Sequence, residues 1–394
     1  MPPLGRVLIQ GYRAARELEF EPGSMCVFVG EASSGKSTVL TAIWTLLEAA
    51  APPPTIDDVS RGTSGRIHLE ARLEKNTSIF LDARPPDTLN LNRAGAPPVL
   101  FLPANLRPRS LVAPATGAGA ADVAELFQPP YAEHHWSQAD GGLQLVMGME
   151  RLVASSLRRF VLLIEEPELY LSPHVQRHLF RLLRTLAQRG NQILYSTHAP
   201  VFLSVDRIED LALVRHTRDQ GTTLFQPDPL EEAEAFRVLS EFDTDRAEIF
   251  LARAVLLVEG RTEKLTFPLV FDALGVEPDK EGILVLECGG KGNIPLFARL
   301  CSACAIPYVV VHDRDAPKGR RPVESERIIN EQILEVAGRR RTVVLAPDFE
   351  SVSGLNPRGR TRKPRNAYRR YTRDGDVPEP LQAAAEKVLK VARA

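Results

Sequence analysis

Two groups of residues in this chain have types and spacings suited to chemistry on phosphates. The first begins with Gly30-Glu31-Ala32-Ser33-Ser34-Gly35-Lys36-Ser37, which fits G-x-x-x-x-G-K-[ST]. Gly30 and Gly35 let the backbone N–H groups turn toward an anion, Lys36 reaches the β- and γ-phosphates, and the Ser37 hydroxyl is a ligand for Mg2+. A helix from Thr38 onward points its positive end at the same charge. An apolar run at 160–164 then ends in Glu165-Glu166-Pro167-Glu168. There Glu165 would hold the nucleotide Mg2+ and Glu166 would orient the attacking water. A second run, 192–195, ends in Ser196-Thr197-His198, placing His198 to contact the γ-phosphate. Together these residues read as an ATP site.

The second group is acidic. An apolar run at 254–258 ends in Glu259-Gly260, with Glu263 four residues beyond Glu259. A run at 282–286 leads into Gly289-Gly290-Lys291-Gly292-Asn293, and another at 308–311 ends in Asp313-Arg314-Asp315. Asp313 and Asp315, two apart in extended chain, face one side. Glu263 is one helical turn from Glu259 if a helix starts at once. Carboxylates gathered this closely repel one another unless cations fill the cluster. Oxygen-only ligands select Mg2+ or Mn2+, and two such ions suit phosphodiester cleavage.

Such residues must sit on strand ends, and the rest of the sequence supplies the strands. Strand, strand, loop and helix are expected over 1–48, short strands at 65–73 and 99–102, and helix, strand, helix, strand over 151–215. From Ala254 the pattern is strand, helix, strand, helix, strand, helix, strand. Such alternation predicts α/β domains with parallel sheets, whose sites lie at one edge. The expected division is an ATPase domain over 1–215, a linker with an acidic helix over 216–250, and a second domain over 251–394 that ends in a basic tail.

The 394 residues, 44% hydrophobic and 25% charged, suit two or three folded domains. No apolar run is long enough for a membrane helix, and the N-terminal residues do not read as a secretory signal. No membrane association is therefore expected, and the cytoplasm is the expected compartment. Cys26, Cys288, Cys301 and Cys304 lack the second pair or the histidines of a zinc site and read as buried thiols. The net charge is −1, yet arginines crowd 339–373, interleaved with Tyr368 and Tyr371. A patch of that kind attracts a phosphate backbone, so a nucleic acid is the expected partner.

The first group resembles the ATP-binding-cassette type of ATPase head, as in SMC and RecF. Residues 163–173 look like its Walker B and D-loop, and Ser196-Thr197-His198 looks like its switch histidine. Glu165 replaces the usual Walker B aspartate, and 137–144 is a degenerate signature loop. The acidic block resembles the Toprim domain, matching at Glu259-Gly260 and Asp313-Arg314-Asp315. An ATPase head followed by a Toprim domain is similar to the OLD (overcoming lysogenization defect) nuclease family, which includes the nuclease subunit of the Gabija antiphage system. The resemblance implies Glu263 as a second acid of the first Toprim motif and Glu350, in Leu345-Ala346-Pro347-Asp348-Phe349-Glu350, as a further metal ligand, with Asp348 the open alternative for that ligand. It also implies Lys363, in Arg362-Lys363-Pro364, as the cation that stabilises the transition state. A homodimer and a helicase-type partner are implied as well, although the insert from Thr55 to Pro130 is short.

The expectation is therefore an ABC-type P-loop ATPase domain followed by a Toprim domain with a Rossmann-like parallel sheet. The chain would act as an ATP-binding, metal-dependent endonuclease or nickase of DNA, in antiviral defence or DNA repair. The competing reading is a RecF-like, ATP-switched DNA-binding repair protein whose Toprim domain is not catalytic. A topoisomerase or primase would need a further domain that the sequence does not suggest.

Overall fold

A computed structural model describes residues 2–74, 77–104, 138–203, 207–231, 237–238, 240–241, 246–314, 323–354, 363–374 and 377–393. At 138–141, 323, 363 and 372–374 it describes the backbone alone. The chain divides into two compact units, Met1–Leu230 and Glu231–Ala394.

The first unit holds two sheets. Strands β1 (Leu4–Tyr12), β2 (Ala15–Phe20), β4 (Ile67–Leu73), β5 (Ser78–Arg84) and β6 (Thr88–Asn92) form an antiparallel sheet in the order β2-β1-β4-β5-β6. Burial alternates along β4 and β5, so Ile67, Leu69 and Ala71 with Ile79, Leu81 and Ala83 make one apolar face. The second sheet runs β11-β10-β3-β9-β8-β7, from β3 (Met25–Val29), β7 (Val99–Leu102), β8 (Val161–Glu165), β9 (Gln192–Ser196), β10 (Leu211–Thr217) and β11 (Gly221–Phe225). Its strands are parallel except for β11, which pairs antiparallel with β10. Every residue of β3 and β9 is buried, as expected of a parallel strand covered on both faces. Helix α1 (Lys36–Leu47) packs on strands of both sheets, and Val39, Leu40, Ile43 and Leu46 join the two faces into one core. Two further helices, α2 (Gln138–Ala154) and α3 (Pro173–Gln188), complete the unit.

Two sequence expectations change here. The strands β5 and β6 were not foreseen, because Pro, Ala and Gly around them masked the alternation. The segment 216–250 was expected to be a linker, yet it contains β11, whose pairing with β10 makes it part of the first unit's second sheet.

The second unit is a four-stranded parallel sheet in the order β13-β12-β14-β15, from β12 (Ala254–Val258), β13 (Ile283–Glu287), β14 (Tyr308–Asp313) and β15 (Thr342–Leu345). Helices α4 (Arg261–Ala273), α5 (Ile294–Ala303), α6 (Val323–Ala337), α7 (Phe349–Val352), α8 (Lys363–Asp374) and α9 (Glu379–Ala392) surround it. Phe267, Val270 and Phe271 of α4, Ala367 and Tyr371 of α8, and Leu381, Ala384 and Val388 of α9 share a core with β12 and β14. Cys301 lies on α5 and Cys304 caps it; both are buried, and burial raises both thiols, Cys304 to about 12. No helix among the described residues is long and apolar enough to cross a membrane.

Candidate ATP and metal sites

At one edge of the first unit's parallel sheet, three adjacent strands end in the residues singled out for ATP. The loop after β3 carries Gly30 at φ 154° and Gly35 at φ 108°, and Gly35 is the N-cap of α1. A Cβ on Gly30 would lie 2.0 Å from the Val214 carbonyl oxygen, and one on Gly35 would lie 2.3 Å from Thr222 Oγ1. Glycine is thus required at both positions by conformation and by space. Lys36 is buried, and its ammonium donates to the carbonyls of Gly30 (2.8 Å) and Glu31 (2.7 Å). Burial lowers its pKa, while the charges of Glu166, Glu168 and Glu31 oppose that shift. Ser37 is exposed in the first turn of α1, beside the half-buried Thr38.

Glu165 ends β8 and accepts the Ala104 N–H (3.1 Å) from beyond β7, while Glu166 follows at φ 47°. The Glu166 N–H donates to the Ser196 carbonyl (2.9 Å), and its carboxylate stands 3.8 Å from His198 Nε2. Burial and the Lys36 charge lower the His198 pKa, favouring the neutral ring. Thus Glu165, Glu166 and His198 meet at the edge that holds Lys36.

Two residues of this site were not assigned from sequence. Glu168 accepts the Thr197 hydroxyl (2.9 Å) and the His198 backbone N–H (2.6 Å), so it ties the β8 loop to the β9 loop. Burial raises its pKa. Thr222 on β11 donates to the Ser34 carbonyl (2.9 Å) and braces the phosphate loop from outside. The third acid of the E-E-P-E run could have signalled Glu168. Thr222 lies almost 190 residues from its partner and carried no local signal. Of the signature-like loop 137–144, Ser137 falls outside the described residues. Gly142 faces the segment after β8, where an added Cβ would lie 2.6 Å from a Leu171 methyl.

In the second unit the acids gather where the parallel strands end. Glu259 follows β12, and its Oε1 accepts the Asp313 N–H at the end of β14 (2.7 Å). Its own carbonyl accepts the Gly290 N–H (2.8 Å) from the glycine turn after β13, where Gly289 (φ 74°) and Gly290 (φ 134°) reverse the chain. Helix α4 starts directly after Gly260, and the Glu263 carboxylate folds back to accept the Gly260 N–H (3.2 Å). Asp313 Oδ1 accepts the Phe349 N–H (2.7 Å) at the start of α7. Asp348, the N-cap of α7, accepts the N–H (2.9 Å) and hydroxyl (2.6 Å) of Ser351. That bonding engages Asp348 in the turn, while the buried Glu350 is close enough for its charge, with that of Asp313, to raise Glu263. Burial is the larger cause, and together they bring Glu263 to about 7.

The structure thus brings Glu259, Glu263, Asp313 and Glu350 to one sheet edge. It does not close them into a cage: among the described residues, no group of three or more His, Cys, Asp or Glu side chains is placed to hold a metal ion. Asp315 lies outside the described residues, and of Lys363 only the backbone, the first residue of α8, is described. The donor set fits a hard divalent cation, being all carboxylate, and its mutual repulsion is what such an ion would relieve. Lys291 of the glycine turn is buried and faces Glu326 of α6 at 3.4 Å.

A P-loop ATPase unit joined to a Toprim-like parallel sheet is the class of protein that this fold and these two edges define. Comparison with known families agrees. Residues 250–315 match the model described as "Overcoming lysogenization defect protein-like, TOPRIM domain". Residues 147–204 match "AAA domain, putative AbiEii toxin, Type IV TA system". The chain is thus similar to ATPase–Toprim proteins of the OLD family. It is 36% identical over 251 residues to the OLD nuclease of Thermus scotoductus, covering 59% of this chain and 48% of that protein. To the Old nuclease of Escherichia phage P2 it is 28% identical over 163 residues, covering 39% of this chain and 28% of that protein. The chain therefore spans about half, or less, of these curated relatives. The C-terminal region of the Burkholderia pseudomallei OLD protein superposes with a TM-score of 0.29 at 21% identity, over 36% of this chain and 98% of that one. With an overlap that loose, the architecture rests on the strand orders given above.

Proposed function

We propose that this protein is an ATP-binding, divalent-metal-dependent DNA endonuclease or nickase whose ATPase unit regulates DNA access or assembly. The observation that carries the reading is the convergence of Glu259, Glu263, Asp313 and Glu350 on one edge of a parallel sheet. With Asp315, they would hold two Mg2+ or Mn2+ ions, whose chemistry there is to make water a nucleophile at neutral pH and to offset phosphate charge. Asp313 is itself positioned by the Phe349 N–H, and Glu259 by the Asp313 N–H, so the acids are oriented by the backbone rather than by one another. Lys363 would add a positive charge beside the leaving oxygen.

In the ATPase unit, Lys36 would exchange its two carbonyl partners for β- and γ-phosphate oxygens. Ser37 and Glu165 would hold the nucleotide Mg2+, Glu166 would orient the attacking water, and neutral His198 would contact the γ-phosphate. The names of two relatives support the nuclease assignment, since the Thermus scotoductus and phage P2 proteins are described as OLD nucleases.

The competing reading is an ATP-switched DNA-binding protein with a non-catalytic Toprim domain. Supercoiled plasmid incubated with Mg2+ or Mn2+ separates the two. Nicking or linearisation by the wild type and not by Asp313→Ala supports the nuclease. A DNA-binding wild type that leaves plasmid and linear DNA intact with both metals favours the binding protein. Lys36→Ala reports whether ATP binding controls either outcome.

A further inference from the structure

Helix α8 (Lys363–Asp374) carries Lys363, Arg365, Arg369, Arg370 and Arg373 against the single acid Asp374. Its two sides differ sharply. Ala367 and Tyr371 are buried in the core shared with α4 and α9. Arg365, Tyr368 and Arg369, spaced i, i+3 and i+4, share another side of the helix and are exposed, Tyr368 at 51%. The apolar side packs along α4, the helix whose first turn carries Glu263. An exposed aromatic ring that shares a helix side with two exposed arginines, on a helix fixed by its packed side, is a platform for one unpaired base with its flanking phosphates. The charge selects a polyanion, and the ring distinguishes splayed bases from a paired duplex, whose bases are stacked on each other.

We propose that the Arg365–Tyr368–Arg369 face of α8 binds a single-stranded DNA flank, with a base stacked on Tyr368 and its phosphates held by Arg365 and Arg369. The proposal deepens the DNA reading given above and rests on it for the class of polymer. It differs in assigning a strand preference that the acid edge does not confer.

The test is fluorescence anisotropy with the full chain in EDTA, which removes cleavage from the readout. A blunt duplex is compared with the same duplex bearing a single-stranded tail of about ten nucleotides. Wild type should bind the tailed DNA more tightly. Loss of one base–aromatic stack should cost Tyr368→Ala roughly 5- to 150-fold in tailed-DNA affinity. Blunt-duplex affinity should stay unchanged, and Tyr368→Phe should keep the preference. Replacing both Arg365 and Arg369 with Gln should flatten the dependence of log affinity on log salt by about 1.4, at roughly 0.7 per single-strand phosphate contact. Thermal melting equal to wild type confirms that these surface variants fold. Equal affinity of the wild type for both DNAs overturns the proposal, and so does a tail preference that survives Tyr368→Ala. Plasmid nicking, measured separately, decides the nuclease reading whichever way the anisotropy falls.

Discussion

Glu168 holds His198 by its backbone: the carboxylate accepts the His198 N–H at 2.6 Å while also accepting the Thr197 hydroxyl at 2.9 Å. The imidazole is left to face Glu166, 3.8 Å from its carboxylate. One acid of the E-E-P-E run therefore fixes the strand-end histidine that another acid meets. In Glu168→Gln the amide oxygen can serve only one of the two donors well. Loss of a hydrogen bond to a charged acceptor is worth about 1.5–3 kcal/mol, so ATP turnover should fall by roughly 10- to 150-fold. The KM for ATP should move much less, because Lys36 and the glycine loop are untouched. Steady-state phosphate release checks this, and a change in KM alone would show that Glu168 does not position His198.

The phosphate loop depends on a strand far away in the chain. In Thr222→Val the buried Ser34 carbonyl would lose the hydroxyl that reaches it at 2.9 Å. An unsatisfied buried acceptor costs about 1–3 kcal/mol, so the melting temperature and ATP affinity should fall together. Gly35→Ala should be worse than Thr222→Val, since the added Cβ would stand 2.3 Å from Thr222 Oγ1 on a backbone at φ 108°. Thermal melting with and without ATP and Mg2+ measures both.

Glu263 gives the acid edge a pH signature. Burial, with the charges of Asp313 and Glu350, raises its folded-state pKa to about 7, above its unfolded carboxylate value. The folded state therefore holds a proton that the unfolded chain has lost. Glu263's contribution to the stability of the metal-free protein is complete below about 4.3, declines as pH rises, and is gone above about 7. Wild type should lose more melting temperature between pH 5 and pH 8 than Glu263→Gln does. A bound divalent ion favours the ionised form, so Mn2+ affinity should fall as pH drops below about 7, by up to about tenfold per unit for one competing proton. Calorimetry in two buffers of different ionisation enthalpy should detect the released proton. A Mn2+ affinity that is flat from pH 5.5 to 8 would show that Glu263 is not a ligand.

The short helix α7 is set by its cap. Asp348 accepts the Ser351 N–H and hydroxyl, and the next acid, Glu350, lies within the same turn. Asp348→Ala should cost about 1 kcal/mol through the lost cap. It should also weaken Mn2+ binding by loosening Glu350, whereas Asp348→Asn, which can still cap, should preserve both. Equal Mn2+ affinity in Asp348→Ala and wild type would separate the turn from the metal edge.

Much of this was legible locally. The glycine loop could be read because Gly30, Gly35 and Lys36 are neighbours and the strand before them is fully buried. In the second unit the expected alternation from Ala254 is the order of elements found, from β12 to β15, because each parallel strand is a continuous apolar run. The antiparallel β5 and β6 were missed because they are short and lie in a Pro- and Gly-rich stretch, where their pairing with β4 is what stabilises them. Between Asp348 and Glu350, sequence alone left the assignment open. Asp348 turns out to cap its own helix, and the Glu350 charge reaches Glu263.

The sequence by itself marked the candidate phosphate-binding and acidic residues and set Glu165, Glu259 and Asp313 at the ends of apolar strands, since periodicity, glycine and charge are written in adjacent positions. Only the tertiary structure decided which strand ends are neighbours. It placed β3 between β10 and β9, put β12 beside β14 so that Glu259 meets the Asp313 N–H, and brought Thr222 under Ser34. Strand order is set by burying every apolar face at once, a condition on the whole chain that no local run of residues contains.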